Sequence, residues 1–159
     1  MKNWDCKFHG GFKRNHEKNK RAMIVGTFQP YHLGHIAMVN RLLSDGVPVL
    51  ILVKDVEIST TTPFGSENVK KLIEKYHNSK GDDVVVQIIP DIESFNFRNS
   101  DDIEIKEHIS PKTVSSISVK GIRNSLAIQN DSWKNSIDPI LHEDVLKIIS
   151  QSTSNHIYM

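Results

Sequence analysis

The stretch from Met23 to His35, Met-Ile-Val-Gly-Thr-Phe-Gln-Pro-Tyr-His-Leu-Gly-His, constrains this chain more than any other. The apolar run from Ala22 to Val25 predicts a buried strand, and Gly26 stands where a side chain would obstruct anything approaching the strand end. Pro30 has no N–H to give to a ladder, so the strand must stop before it. A helix that begins near Leu33 carries His32 and His35 on the same side of its first turn. Free backbone N–H groups and the positive end of the helix dipole gather at such a turn, and two imidazole donors beside them suit a phosphate.

Strands and helices alternate downstream. Ile36, Val39, Leu42 and Leu43 give a helical apolar stripe that Asp45-Gly46 ends, and Val49 to Val53 is a continuous apolar run that predicts a strand buried on both faces. A polar loop over 55–65 follows, and then Ser66 is expected to cap a helix marked by Val69, Leu72, Ile73 and Tyr76. Gly81-Asp82-Asp83 turns the chain into a third strand over Val84 to Ile89. Short links between these units imply a parallel sheet in an α/β, Rossmann-like domain with helices on both faces. The acidic, asparagine-rich stretch from Glu93 to Pro111 predicts neither a strand nor a long helix. A fourth strand is expected around Thr113 to Ser118, then a short helix with Ile122 and Leu126, and a last helix with Leu141, Val145, Ile148 and Ile149 on one face.

Composition enters through charge. Residues 1–22 hold seven Lys/Arg and two Asp/Glu, a net of +5 in a chain whose formal charge is +1. This segment lacks a sustained apolar period and is read as a basic extension over 1–21, outside a single domain over 22–150, with 151–159 as a C-terminal tail. A solvated leader accounts for it better than a nucleic-acid-binding arm, and Trp4, Phe8 and Phe12 could dock it on the body or on a neighbouring subunit. Cys6 is the only cysteine, which fits a reducing cytoplasm. No apolar run approaches the roughly 20 residues of a membrane span, and the N-terminus has no apolar core of a secretory signal.

Gly26-Thr27-Phe28-Gln29-Pro30-Tyr31-His32-Leu33-Gly34-His35 resembles the HxGH signature of the nucleotidyltransferase superfamily, whose members transfer AMP or CMP to a phosphorylated acceptor. Thr62-Pro63-Phe64 with Glu67, Ile89-Pro90-Asp91-Ile92 and Ser118 to Arg123 follow in the order found in adenylyltransferases of the archaeal nicotinamide mononucleotide type, and Trp133 resembles their C-terminal end. The resemblance implies ATP and a small phosphorylated acceptor as substrates, Mg²⁺ carried in by the triphosphate, and a homo-oligomer. It implies that His32, His35 and Arg123 act on the phosphates, that Gly26, Thr27, Phe28, Gly34, Ser118 and Lys120 bind the nucleotide, and that Lys54 and Asp91 meet the acceptor. A zinc site on the two histidines lacks a third ligand at suitable spacing.

Three departures from the family pattern bear on activity. Lys120 stands where the family has a threonine or serine, Asn68 where arginine commonly follows Glu67, and the segment from Glu93 to Pro111 is short. A cytidylyltransferase acting on CTP and an alcohol phosphate, or a pantetheine-phosphate-type adenylyltransferase, is the enzymatic alternative, and a nucleotide-binding module with lost or weak catalysis is the alternative of another class. Arg41 is expected to face outward from its helix.

Overall fold

The computed structural model describes residues 20–157. The basic extension, with Trp4, Phe8 and Phe12, therefore lies almost wholly outside the described residues. Three strands, β1 (Ala22–Gly26), β2 (Val49–Asp55) and β3 (Val84–Pro90), form one parallel sheet in the order β1-β2-β3. Ile24, Ile51 and Val86 stand side by side in its register. Helix α1 (Leu33–Ser44) links β1 to β2 and helix α2 (Ser66–Ser79) links β2 to β3. Both crossovers advance in the same direction, so the right-handed rule sets both helices on one face of the sheet.

The strand pattern follows that geometry. Val49, Ile51 and Val53 are fully buried and join Ile36, Val39, Leu72, Ile73 and Val86 in the core. Leu50 and Leu52 alternate with them and are half-buried. Met23, Val25, Leu50, Leu52, Val85 and Ile89 all lie outside the core cluster. The run read as buried on both faces is thus sealed on one face and half-buried on the other.

Arg21, counted in the sequence with the basic extension, spans the N-terminal ends of the strands. Its guanidinium donates to the Val49 carbonyl at 3.2 Å and pairs with the Asp83 carboxylate at 2.7 Å. The opposite, carboxyl end of the sheet is where open α/β folds place their ligands.

The C-terminal third departs from the expected strand. Residues 112–115 form a short helical turn, α3 (Lys112–Ser115), instead of the start of a fourth strand over Thr113 to Ser118. Pro111 is its N-cap, and its carbonyl accepts from the N–H groups of Val114 and Ser115. The apolar residues there, Val114 and Ile117, are at helical rather than alternating spacing. Helix α4 (Val119–Ala127) follows, then two short 3₁₀ turns at Ser132–Asn135 and Pro139–Leu141, and helix α5 (His142–Ile157). Helix α5 continues well into the stretch read as a tail. Ile122, Leu126, Trp133, Ile137, Leu141, Val145 and Ile148 bury their side chains in the same core as the sheet. Lys75 of α2 pairs with Asp144 of α5 on the outside.

The expected Ser66 cap also changes. Gly65 takes the N-cap position of α2, and the Ser66 hydroxyl instead donates to Asp55 at 2.8 Å. That bond fastens the start of α2 to the end of β2.

Candidate nucleotide site at the carboxyl end of the sheet

The turn between β1 and α1 is built from its own side chains. His32 is the N-cap of α1, and its Nδ1 accepts from the Gly34 N–H at 2.9 Å. His35 reaches back, its Nδ1 accepting from the His32 N–H at 3.1 Å. The two imidazoles thus form a capping box, a task usually given to hydroxyl and carboxylate side chains. Each Nδ1 is occupied as an acceptor, so the ring proton of each neutral imidazole sits on Nε2. Burial lowers His32 to about 4, and burial together with the neighbouring His32 lowers His35 to about 3. Both rings are therefore neutral near pH 7 and offer one Nε2–H donor apiece.

Aromatic packing fixes the rings. His32 and His35 stack with centroids 3.8 Å apart, Tyr31 lies parallel to His35 at 5.5 Å, and Phe28 meets His35 edge-on at 5.0 Å. Phe28 has a φ of 50°, a left-handed conformation that costs a non-glycine residue energy and persists here because its ring is buried in the core. The glycines serve these rings. A Cβ on Gly34 would stand 2.7 Å from the His32 ring, and one on Gly26 would stand 3.2 Å from the Phe28 ring. The space either Cβ would take is bounded by the chain's own side chains.

Gln29 joins this turn to the loop before α2. Its side-chain amide accepts from the Phe64 N–H at 2.8 Å and donates to the Phe64 carbonyl at 2.6 Å. The one signal for this role in the sequence is a polar side chain held between a phenylalanine and a proline. From the far side of the chain Arg123 donates to the Gln29 carbonyl at 3.1 Å. Residues 94 positions apart thereby meet at the strand end.

Two cavities adjoin the histidines. One of about 300 Å³ is lined by Gly26, Thr27, Phe28, His35, Thr61 and Arg123, among others. The other, about 620 Å³, lies between α1 and residues 108–117 and is bordered by His32, Gly34, His35, Arg41, His108 and Ser115, among others. His35 and Met38 belong to both walls. Arg41, expected to face outward, is exposed and borders the larger cavity.

The remaining expected residues divide. Ser118 is the N-cap of α4, its hydroxyl accepting from the Gly121 N–H at 3.2 Å. Ser118 borders a separate cavity with Ser132 and Ser136, whereas Val119 and Arg123 border the one beside His35. Lys120 is exposed and lines neither cavity beside the histidines. Lys54 and Asp91 pair at 3.4 Å at the ends of β2 and β3, and neither lines those two cavities. No group of three or more His, Cys, Asp or Glu side chains suited to a metal ion occurs among the described residues.

A strand end, a histidine-capped helix and an arginine brought in from a distant helix thus meet at the carboxyl end of the sheet. A family model described as cytidylyltransferase-like matches residues 23–121, most of the chain, and the protein belongs to that family. A shorter stretch is similar to the nicotinamide-nucleotide adenylyltransferases of Thermoplasma volcanium and Thermoplasma acidophilum. Each is 41% identical over 49 residues, which is 30% of this chain and 28% and 27% of the respective relatives. The matched stretch spans little more than a quarter of either relative's length. No helix among the described residues is long and apolar enough to cross a membrane.

Proposed function

We propose that this chain is a nucleotidyltransferase that moves AMP from ATP to the phosphate of a small acceptor, with nicotinamide mononucleotide as the first acceptor to test. In the reaction an acceptor phosphate oxygen attacks the α-phosphorus in line. The new P–O bond forms as the bond to the β-phosphate bridging oxygen breaks, and pyrophosphate leaves with that electron pair. No covalent intermediate on the protein is needed, so the side chains have only to position the phosphates and offset developing negative charge.

The observation that carries this reading is the meeting of His35 and Arg123 on one cavity wall. In this reading the Nε2–H of His35 donates to the α-phosphate in the transition state, and that of His32 to a neighbouring phosphate. A neutral imidazole with its proton fixed on Nε2 is a donor that stays a donor across neutral pH. Arg123 holds the leaving pyrophosphate, and its fork permits a phosphate contact beside its bond to the Gln29 carbonyl. Thr27 supplies a hydroxyl on the same wall. The larger cavity has the volume for a nucleoside. In this reading Mg²⁺ comes in with the triphosphate, held by phosphate oxygens and water. Bound there, the ion would screen triphosphate charge.

Lys54 and Asp91 sit at the same end of the sheet and are assigned to the acceptor side in this reading. We further assign 22–150 as the catalytic unit, the cytoplasm as its compartment, and a homo-oligomer as its working form.

A second reading rests on Lys120. Because it is exposed and away from both cavities, a site lacking the family's hydroxyl at that position could bind nucleotide without efficient turnover. Pyrophosphate release, measured with ATP and with CTP against a panel of phosphorylated acceptors, separates the readings. Release with ATP that depends on one acceptor supports adenylyl transfer, and dependence on CTP supports the cytidylyl alternative. Tight ATP binding without release against the whole panel sinks the transferase reading.

A further inference from the structure

Behind the two histidines lies a buried polar chain that the proposed chemistry does not use. The Tyr31 hydroxyl donates to His77 Nε2 at 2.7 Å, and His77 Nδ1–H donates to Asp82 Oδ2 at 2.8 Å. Tyr31 and His77 are both 1% exposed, and Asp82 lies at the solvent edge with its side chain 21% exposed. The directions of these bonds are fixed by the groups. Burial raises the Tyr31 phenol well above its ordinary value, so it remains a hydroxyl, and burial lowers His77, so it remains a neutral imidazole. A carboxylate accepts only, so the proton on His77 sits on Nδ1 and leaves Nε2 to receive the Tyr31 hydroxyl. Asp82 thereby sets the tautomer of a histidine, and the histidine sets the position of a tyrosine.

Hydrophobic packing alone would not need this arrangement. A phenylalanine fills the volume of Tyr31 without a hydroxyl, and a leucine in place of His77 would leave no polar group to satisfy. The chain of bonds runs from the turn after α2 to a ring whose other side is the catalytic face. Tyr31 lies 9° from parallel with His35, which is clamped between it, the stacked His32 ring and the edge of Phe28. His35 has one ring nitrogen held by the backbone, so its remaining freedom is a tilt about that bond. The tilt aims Nε2–H.

We propose that Tyr31, held by His77 and Asp82, is a positioning residue that sets the tilt of the His35 imidazole. The role of His35 at the α-phosphate rests on the adenylyl-transfer reading, whereas the control of its ring does not. Tyr31→Phe keeps the ring and removes the tether. Asp82→Ala lets His77 take the other tautomer, so that its Nε2–H donates to the Tyr31 oxygen and the Tyr31 hydroxyl proton loses its buried acceptor. It acts at the solvent edge and opens no space in the core. His77→Gln, by contrast, can return an acceptor to the tyrosine.

Two measurements on the full chain test the proposal. In histidine ring ¹⁵N–¹H spectra, His35 should give one sharp set of cross-peaks in the wild type and a broadened or split set in Tyr31→Phe and Asp82→Ala, with His77→Gln close to wild type. Where pyrophosphate release is observed, kcat should fall roughly tenfold or more in the first two variants while KM for ATP stays within about twofold. Unchanged His35 cross-peaks in both Tyr31→Phe and Asp82→Ala would overturn the proposal, as would loss of thermal stability with kcat and spectra untouched. If the wild type releases no pyrophosphate, the transfer reading fails and the spectra still decide the tether.

Discussion

Nδ1 of His32 and Nδ1 of His35 each close the cap of α1, and in the proposed reading the Nε2–H of the same rings serves the phosphates. This sharing has a pH signature. Both imidazoles are neutral in the folded state, with values of about 4 and about 3, whereas unfolded histidines take up a proton near 6.5. Falling pH therefore protonates the unfolded chain first, so the stability they contribute is full above about pH 6.5 and is lost between there and the folded values. Urea unfolding should show a lower midpoint near pH 5 than near pH 7.5, on the order of 2 kcal/mol per histidine, and His35→Asn should flatten that dependence. A midpoint that holds steady across this range would contradict the burial of the two rings. At this scale the spacing that caps α1 with two histidines was legible in the sequence, because His32 and His35 stand three apart where the helix begins. Gly26 announced a close approach at the strand end, and the structure adds that a Cβ there would meet Phe28.

Among the elements, the strand–turn–helix over β1 and α1 was legible because apolar runs, a proline and a helical stripe all agree locally. The stretch after Pro111 was not. Val114 and Ile117 are too few to declare a period, and the proline that starts α3 decided the outcome. The Ser66 cap failed for a different reason, since Asp55 offers its hydroxyl a partner that no local pattern reveals. Long-range bonds of this kind also hold the site together, and Gln29 is the one most open to test. Gln29→Ala leaves the N–H and carbonyl of Phe64 without their side-chain partners in a buried place. The cost should be roughly 2 kcal/mol or more, read as a lower thermal midpoint, with faster hydrogen exchange at Phe64 than at Ile51 of the central strand. Equal protection of Phe64 in wild type and variant would show that the loop is held by something else.

Across the whole molecule, a three-stranded sheet becomes a site only because the C-terminal third folds back on it. Trp133, Ile137, Leu141 and Val145 bury themselves in the sheet's own core, and that packing brings α4 and Arg123 to the end of β1. The sequence showed the two halves of the site as separate blocks, since the contact between Gln29 and Arg123 has no local signature. It did show the altered position between them, and the structure puts Lys120 on the surface. The central claim is that the strand-end histidines and Arg123 act on one triphosphate. It is tested most directly by pyrophosphate release from ATP with nicotinamide mononucleotide, comparing the wild type with His35→Ala and Arg123→Ala, each confirmed folded by circular dichroism. The account predicts acceptor-dependent release by the wild type and a fall in kcat of roughly 100-fold or more in each variant; wild-type rates in either folded variant would contradict it.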